Sequence, residues 1–145
     1  MKIQDKAYIS RTLKCASNSN DLYFRSLSEE MKSDASKATR IQIVSGYFGE
    51  DYVLELLKHV PPKKARACSI TMIFGYDSIA ELLYGQIRVS DLKNKIASLG
   101  FKKANITIQM FKDKAPLHTK LYGFLITTRP VWYIGSANLS KAIEG

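Results

Sequence analysis

Short runs rich in β-branched and aromatic residues alternate along this chain with segments whose apolar residues recur at helical spacing, which confines it to an α/β arrangement. Residues 22–33, LYFRSLSEEMKS, read as a helix, and DASKAT as a polar connection. Arg40 to Phe48, RIQIVSGYF, reads as the first strand. Gly49 then opens EDYVLELLKHV, a helix with acidic residues in its first turn, which Pro61 and Pro62 stop. KKARA is expected to be a basic loop, and CSITMIFGYD a second, buried strand. SIAELLYGQ and SDLKNKIASLG both read as helical, the second with Ser90 as its N-cap and Gly100 as its stop. ANITIQMF gives a third strand, and HTKLYGFLIT and VWYIGS a hairpin turning at Thr128-Arg129-Pro130. From Arg40 the order is β-α-β-α-α-β-β-β. It predicts a mixed sheet flanked by helices, parallel in its strand-helix-strand part and antiparallel in the hairpin.

At 145 residues, with no repeat or low-complexity tract, residues 1–145 are expected to form one domain around one core. No apolar run approaches the roughly 18 residues of a membrane span, and the start MKIQDKAYIS lacks the apolar core of a signal peptide. A cytoplasmic location and no membrane partner are expected. Cys15 and Cys68 belong to no paired-cysteine metal pattern and are read as reduced thiols. The 22 Lys and Arg against 13 Asp and Glu leave a formal net charge of +9, which favours a polyanionic partner such as nucleic acid.

The chemistry concentrates near the end. H-T-K at 118–120 is followed one hairpin later by G-S-A-N at 135–138. Side chains alternate along a strand, so His118, Lys120 and Tyr122 share one side, and Ser136 and Asn138 likewise share a parity. Pairing of the two strands can bring an imidazole, an ammonium, a hydroxyl and an amide to one sheet edge. Those groups suit a phosphodiester. Neutral imidazole is a competent nucleophile near pH 7, Lys120 supplies fixed positive charge, and Ser136 and Asn138 can hydrogen-bond transition-state oxygens or orient the imidazole. Each fragment is short enough to arise by chance; ordered on neighbouring strands they carry weight together.

The pattern resembles the phospholipase D superfamily, whose motif is H-x-K-x-x-x-x-D-x-x-x-x-x-x-G-S-x-N. IQIVSGYF and ITMIFGYD also look like that superfamily's first core strands, and the whole chain is most similar to the catalytic domain of NgoFVII-type restriction endonucleases. The resemblance implies a phospholipase D-like α/β domain that cleaves phosphodiester bonds of DNA through a covalent phosphohistidine. It makes His118 the nucleophile, Lys120 a phosphate ligand, and Ser136 and Asn138 the remainder of a half-site. No metal or other cofactor is implied, and the sequence offers only His118 and His59, with Asp113 the one acidic residue near the motif. The superfamily chemistry uses two histidines, so a homodimer is expected to supply the second; His59, beside Pro61, reads as a plain helix-end histidine.

This chain departs from the pattern at Leu125, where the motif aspartate would fall, and in the longer interval to Gly135, which a wider hairpin loop over Thr127 to Pro130 would accommodate. Parity points position 125 away from His118, so an aspartate there would support structure rather than touch phosphate. These nucleases also carry a glutamate further along, at a position past Gly145, with Glu144 too early to replace it. Lys112, Lys114, Lys63, Lys64 and Arg66 are candidate contacts to flanking DNA phosphates, whereas Tyr47, Phe48 and Tyr76 read as packing residues. No DNA-reading motif is apparent, so a recognition domain beyond Gly145 is expected. The alternatives are a lipid phosphodiesterase using the same chemistry, and a non-catalytic nucleic-acid-binding or dimerisation module with a vestigial motif.

Overall fold

Every second residue of Arg40–Ser45 (β1) is apolar or small, and these residues, Ile41, Ile43 and Ser45, are the buried ones. The computed structural model describes residues 27–46, 48–75, 82–110 and 119–135, with the backbone alone for 82–88. Ser69–Phe74 (β2) repeats the alternation with Ile70, Met72 and Phe74 buried. Ile106–Met110 (β3), Leu121–Ile126 (β4) and Arg129–Ile134 (β5) complete a five-stranded sheet in the order β3-β2-β1-β4-β5. β1, β2 and β3 run parallel; β4 pairs antiparallel with β1 and with β5. The architecture is thus a mixed sheet with helices, as expected.

Leu27–Ala35 (α1), Glu50–Leu57 (α2) and Leu82–Ser98 (α4) cover one face of the sheet. Met31 and Ala35 of α1, Val53, Leu56 and Leu57 of α2, and Leu92 and Ile96 of α4 recur at three- and four-residue spacing. They close on Ile41, Ile43, Ile70, Met72, Tyr122, Phe124, Val131 and Tyr133 as one continuous core. Phe124 meets Tyr133 edge to face at 5.9 Å, and the Tyr133 hydroxyl donates to Asp34, tying β5 to α1. Lys95 of α4 bridges Glu50 of α2 at 3.2 Å and Asp91 at 3.1 Å.

The structure differs from the sequence expectations at four places. The first helix runs to Ala35, whose buried methyl lies one turn after Met31. KKARA is not all loop: Pro62–Ala65 forms a short helix (α3), because Pro62 presets the first helical φ and Ala65 is buried. The two expected helices around Ser90 are continuous in α4, where Ser90 is an exposed interior residue rather than a cap. No proline interrupts 82–98, and the cost of Gly85 and Ser90, on the order of 1 kcal/mol each or less, does not end a helix anchored by Leu92 and Ile96. Gly100 does stop it, with φ +112°.

The fourth difference is the hairpin. Ile126 pairs with Arg129, so the loop is only Thr127 and Thr128, and Pro130 lies inside β5 opposite Leu125. An edge strand tolerates proline, which lacks the N–H that an interior ladder requires. The longer interval between the two motif halves therefore lengthens the strands, not the loop.

Candidate active site

β4 carries the first motif half toward one edge of the sheet. Its last described residue before Leu121, Lys120, sits where β1 ends: Val44 pairs with Leu121, and continuing the register one step sets Ser45 opposite Lys120. On the other side the Gly135 N–H donates to the Lys120 carbonyl at 3.3 Å, one step beyond the Leu121–Ile134 pair. Lys120 and Gly135, one from each motif half, are thus hydrogen-bonded neighbours. His118, Ser136 and Asn138 lie outside the described residues, as do Lys112, Lys114, Asp113, Glu144, Tyr47 and Tyr76.

The register adds a constraint that parity within each strand does not reveal. Even positions of β4, Tyr122 and Phe124, face the core, whereas in β5 the odd ones, Val131 and Tyr133, do. Strict alternation carried past β5 would send positions 136 and 138 to the face opposite Lys120. β5, however, ends at Ile134, and Gly135 lies in a bend, so the alternation stops before Ser136. Among the described residues, a hypothetical Cβ on Gly135 would meet nothing within 4 Å.

Under Lys120 lies a pair of buried hydroxyls that sequence reasoning missed. Tyr122 is 2% exposed and Ser45 fully buried. Burial pushes the Tyr122 phenol up to about 12, with a hydrogen bond to Ser45 pulling the other way. The signal was available: Ser45 shares the core-facing side of its strand with Ile41 and Ile43, where a hydroxyl without a partner would be costly. Nearby, Phe48 stacks on Phe74 with ring centroids 3.8 Å apart, a packing role.

Lys63, Lys64 and Arg66 fall elsewhere. They precede β2, at the edge from which the parallel strands start, so the length of a six-residue strand, about 20 Å, separates them from the Lys120 edge. They cannot share a phosphate with Lys120. Leu125 also lies toward that far edge, opposite Arg40 and on the face away from Tyr122. His59, just past α2, stands 3.9 Å from Glu55, and its pKa is lowered by partial burial and by Lys32, against the pull of Glu55. Cys68 is buried and its thiol is pushed up to about 11, which leaves it unreactive near neutrality. Among the described residues no group of three His, Cys, Asp or Glu side chains is placed to hold a metal, and no helix is long and apolar enough to cross a membrane.

Lys120, just ahead of β4, is thus held beside the end of β1 and hydrogen-bonded to Gly135 at the end of β5. The model of the NgoFVII restriction endonuclease N-terminal PLD domain matches residues 25–145. The chain belongs to this family. A comparison with curated proteins finds no match. As an NgoFVII-type PLD domain it is a nuclease domain of the phospholipase D type, and the match spans both motif halves and all five strands.

Proposed function

We propose that this domain is the catalytic part of a DNA endonuclease that cleaves phosphodiester bonds without a metal, through a phosphohistidine on His118. The observation that supports it is the Gly135 to Lys120 hydrogen bond, which draws the strand ends carrying the two motif halves to one edge of the sheet. In this reading the neutral His118 imidazole attacks phosphorus, and a P–N bond forms as the P–O bond to the leaving strand breaks. The His118 of a second copy protonates the departing oxygen and then, as a base, takes a proton from the water that hydrolyses the phosphohistidine. Lys120 holds a non-bridging phosphate oxygen, and Ser136 and Asn138 donate hydrogen bonds to the phosphoryl oxygens or to the imidazole. The buried Ser45–Tyr122 pair fixes the floor from which Lys120 projects.

A two-fold homodimer supplies the second histidine. Lys112 and Lys114, just ahead of His118 in sequence, hold phosphates flanking the scissile one. Site selection belongs to a separate recognition domain, and a cytoplasmic location fits such an enzyme. Incubation of the protein with plasmid DNA in excess chelator tests the chemistry. Nicking persists in chelator, and His118→Ala lowers its rate by at least about 10³-fold. Loss of nicking in chelator would sink the metal-free reading, and equal nicking by the variant would sink the nucleophile. Sedimentation that shows only monomer at concentrations that cut would dismiss the shared site.

A further inference from the structure

Charge is segregated in this fold. Every acidic side chain among the described residues sits on a helix: Glu29, Glu30 and Asp34 on α1, Glu50, Asp51 and Glu55 on α2, and Asp91 on α4. The edge where the parallel strands begin carries the opposite sign. Lys63 and Lys64 on α3, Arg66 just after it, and Lys102 and Lys103 ahead of β3 are all exposed. These stretches are neighbours: a Cβ added at Gly100 would lie 3.7 Å from Pro62, and the Asn105 amide donates to the Arg66 carbonyl at 3.5 Å. Among the described residues, none of the five cations is in an ion pair, whereas Lys32, Lys58 and Lys95 each are. Gathering five like charges over the entries to two adjacent strands is self-repulsive, and a polyanion relieves that repulsion.

This edge faces away from Lys120, about 20 Å distant along the strands. Duplex DNA is stiff over roughly 150 base pairs, so a duplex that crosses the strand ends at Lys120 does not bend round the sheet to reach the opposite strand ends. We infer that Lys63, Lys64, Arg66, Lys102 and Lys103 hold the backbone of a second duplex segment, separate from the one presented to Lys120. The ligand class rests on the nuclease reading; the placement rests on the sheet.

The test is duplex bridging. The full chain carrying His118→Ala, which binds without cutting, is mixed with a bead-tethered duplex and a free fluorescent duplex, and retention of the fluorescent one is measured against salt. The inference expects retention at 50 mM salt. Five phosphate contacts give a slope near −4.5, so affinity at this edge falls about 500-fold by 200 mM. Adding K63A, K64A, R66A, K102A and K103A abolishes retention, and in the cutting-competent chain the same five changes leave the cleavage rate of a saturating short duplex unchanged. A variant with only K63Q, K64Q and R66Q loses part of the slope and guards against a folding artefact. Undiminished bridging by either variant, no bridging by the parent protein at any salt, or displacement of the second duplex by polyglutamate as readily as by DNA would overturn the inference. Bridging without any cleavage by the native chain would sink the nuclease reading and leave this surface standing.

Discussion

The two faces of β4 and β5 are built by different rules. On the helix-covered face large side chains interlock, Phe124 against Tyr133 and Tyr122 over Ser45, under α1 and α2. On the other face the strands make room for one ring. The Trp132 indole lies across Gly123 so closely that a Cβ there would fall 2.3 Å from its edge. Its N–H is buried with no acceptor among the described residues, and a cavity of about 150 Å³ opens beside it between Arg40, Gln42, Leu125 and Pro130. Ile134, at the end of the same face, is 66% exposed. One side is a filled core whose parts constrain one another; the other is a single aromatic laid on a backbone.

Deleting a ring from the filled side is the most damaging change. Phe124→Ala costs about 3 to 5 kcal/mol in denaturant unfolding, by lost burial plus a cavity among fixed neighbours. A loss under 1 kcal/mol would mean that the covered face is no better packed than the open one. Next comes Gly123→Ala, expected to cost about 1 to 3 kcal/mol because Trp132 must move. Pairing it with Trp132→Phe sharpens the point, since the smaller ring should recover most of that loss and carries no orphaned donor. Additive losses would show that the clash is not what the glycine avoids.

Smaller effects lie outside either face. Thr127 has φ +56°, a left-handed conformation that a β-branched residue adopts at a cost, so Thr127→Gly should raise stability by about 1 kcal/mol in the same assay. The smallest is a pH effect confined to the helix layer. The folded-state pKa of His59 lies below its ordinary 6.5, so between the two values the unfolded chain binds more protons. Stability contributed by this residue is therefore present above pH 6.5 and lost as pH falls, and His59→Gln should flatten that slope. An unchanged pH profile would remove His59 from the account.

The strands of this sheet were legible because each buries one side: RIQIVS and SITMIF alternate as half-buried strands must. The motif halves stand out in the sequence because few residue types suit phosphoryl chemistry, and of them the structure describes Lys120 and Gly135. What escaped was set by neighbours distant in sequence. Ser90 looks like a cap until Leu92 and Ile96 are seen to pack within one helix, and Thr128-Arg129-Pro130 looks like a turn until Pro130 is found at a sheet edge that excuses its missing N–H. Ser45 could be flagged as polar on the apolar side of its strand, but its partner Tyr122 comes from a strand that begins 76 positions later. Lys63, Lys64 and Arg66 carried no address at all, since only the direction of β2 reveals which end of the sheet they occupy.

The placement of β4 also dictates the order in which a growing chain can be completed. β1, β2 and β3 can assemble through local crossovers as they emerge from the ribosome, but the remaining flank of β1 stays unpaired until residues 121–126 are made and inserted. Long-range closure of this kind carries the larger loop-closure cost, and until it occurs the flank of β1 is an unpaired strand edge open to mispairing. The same step brings Lys120 beside Gly135, so no half-translated chain holds this residue at that edge of the sheet.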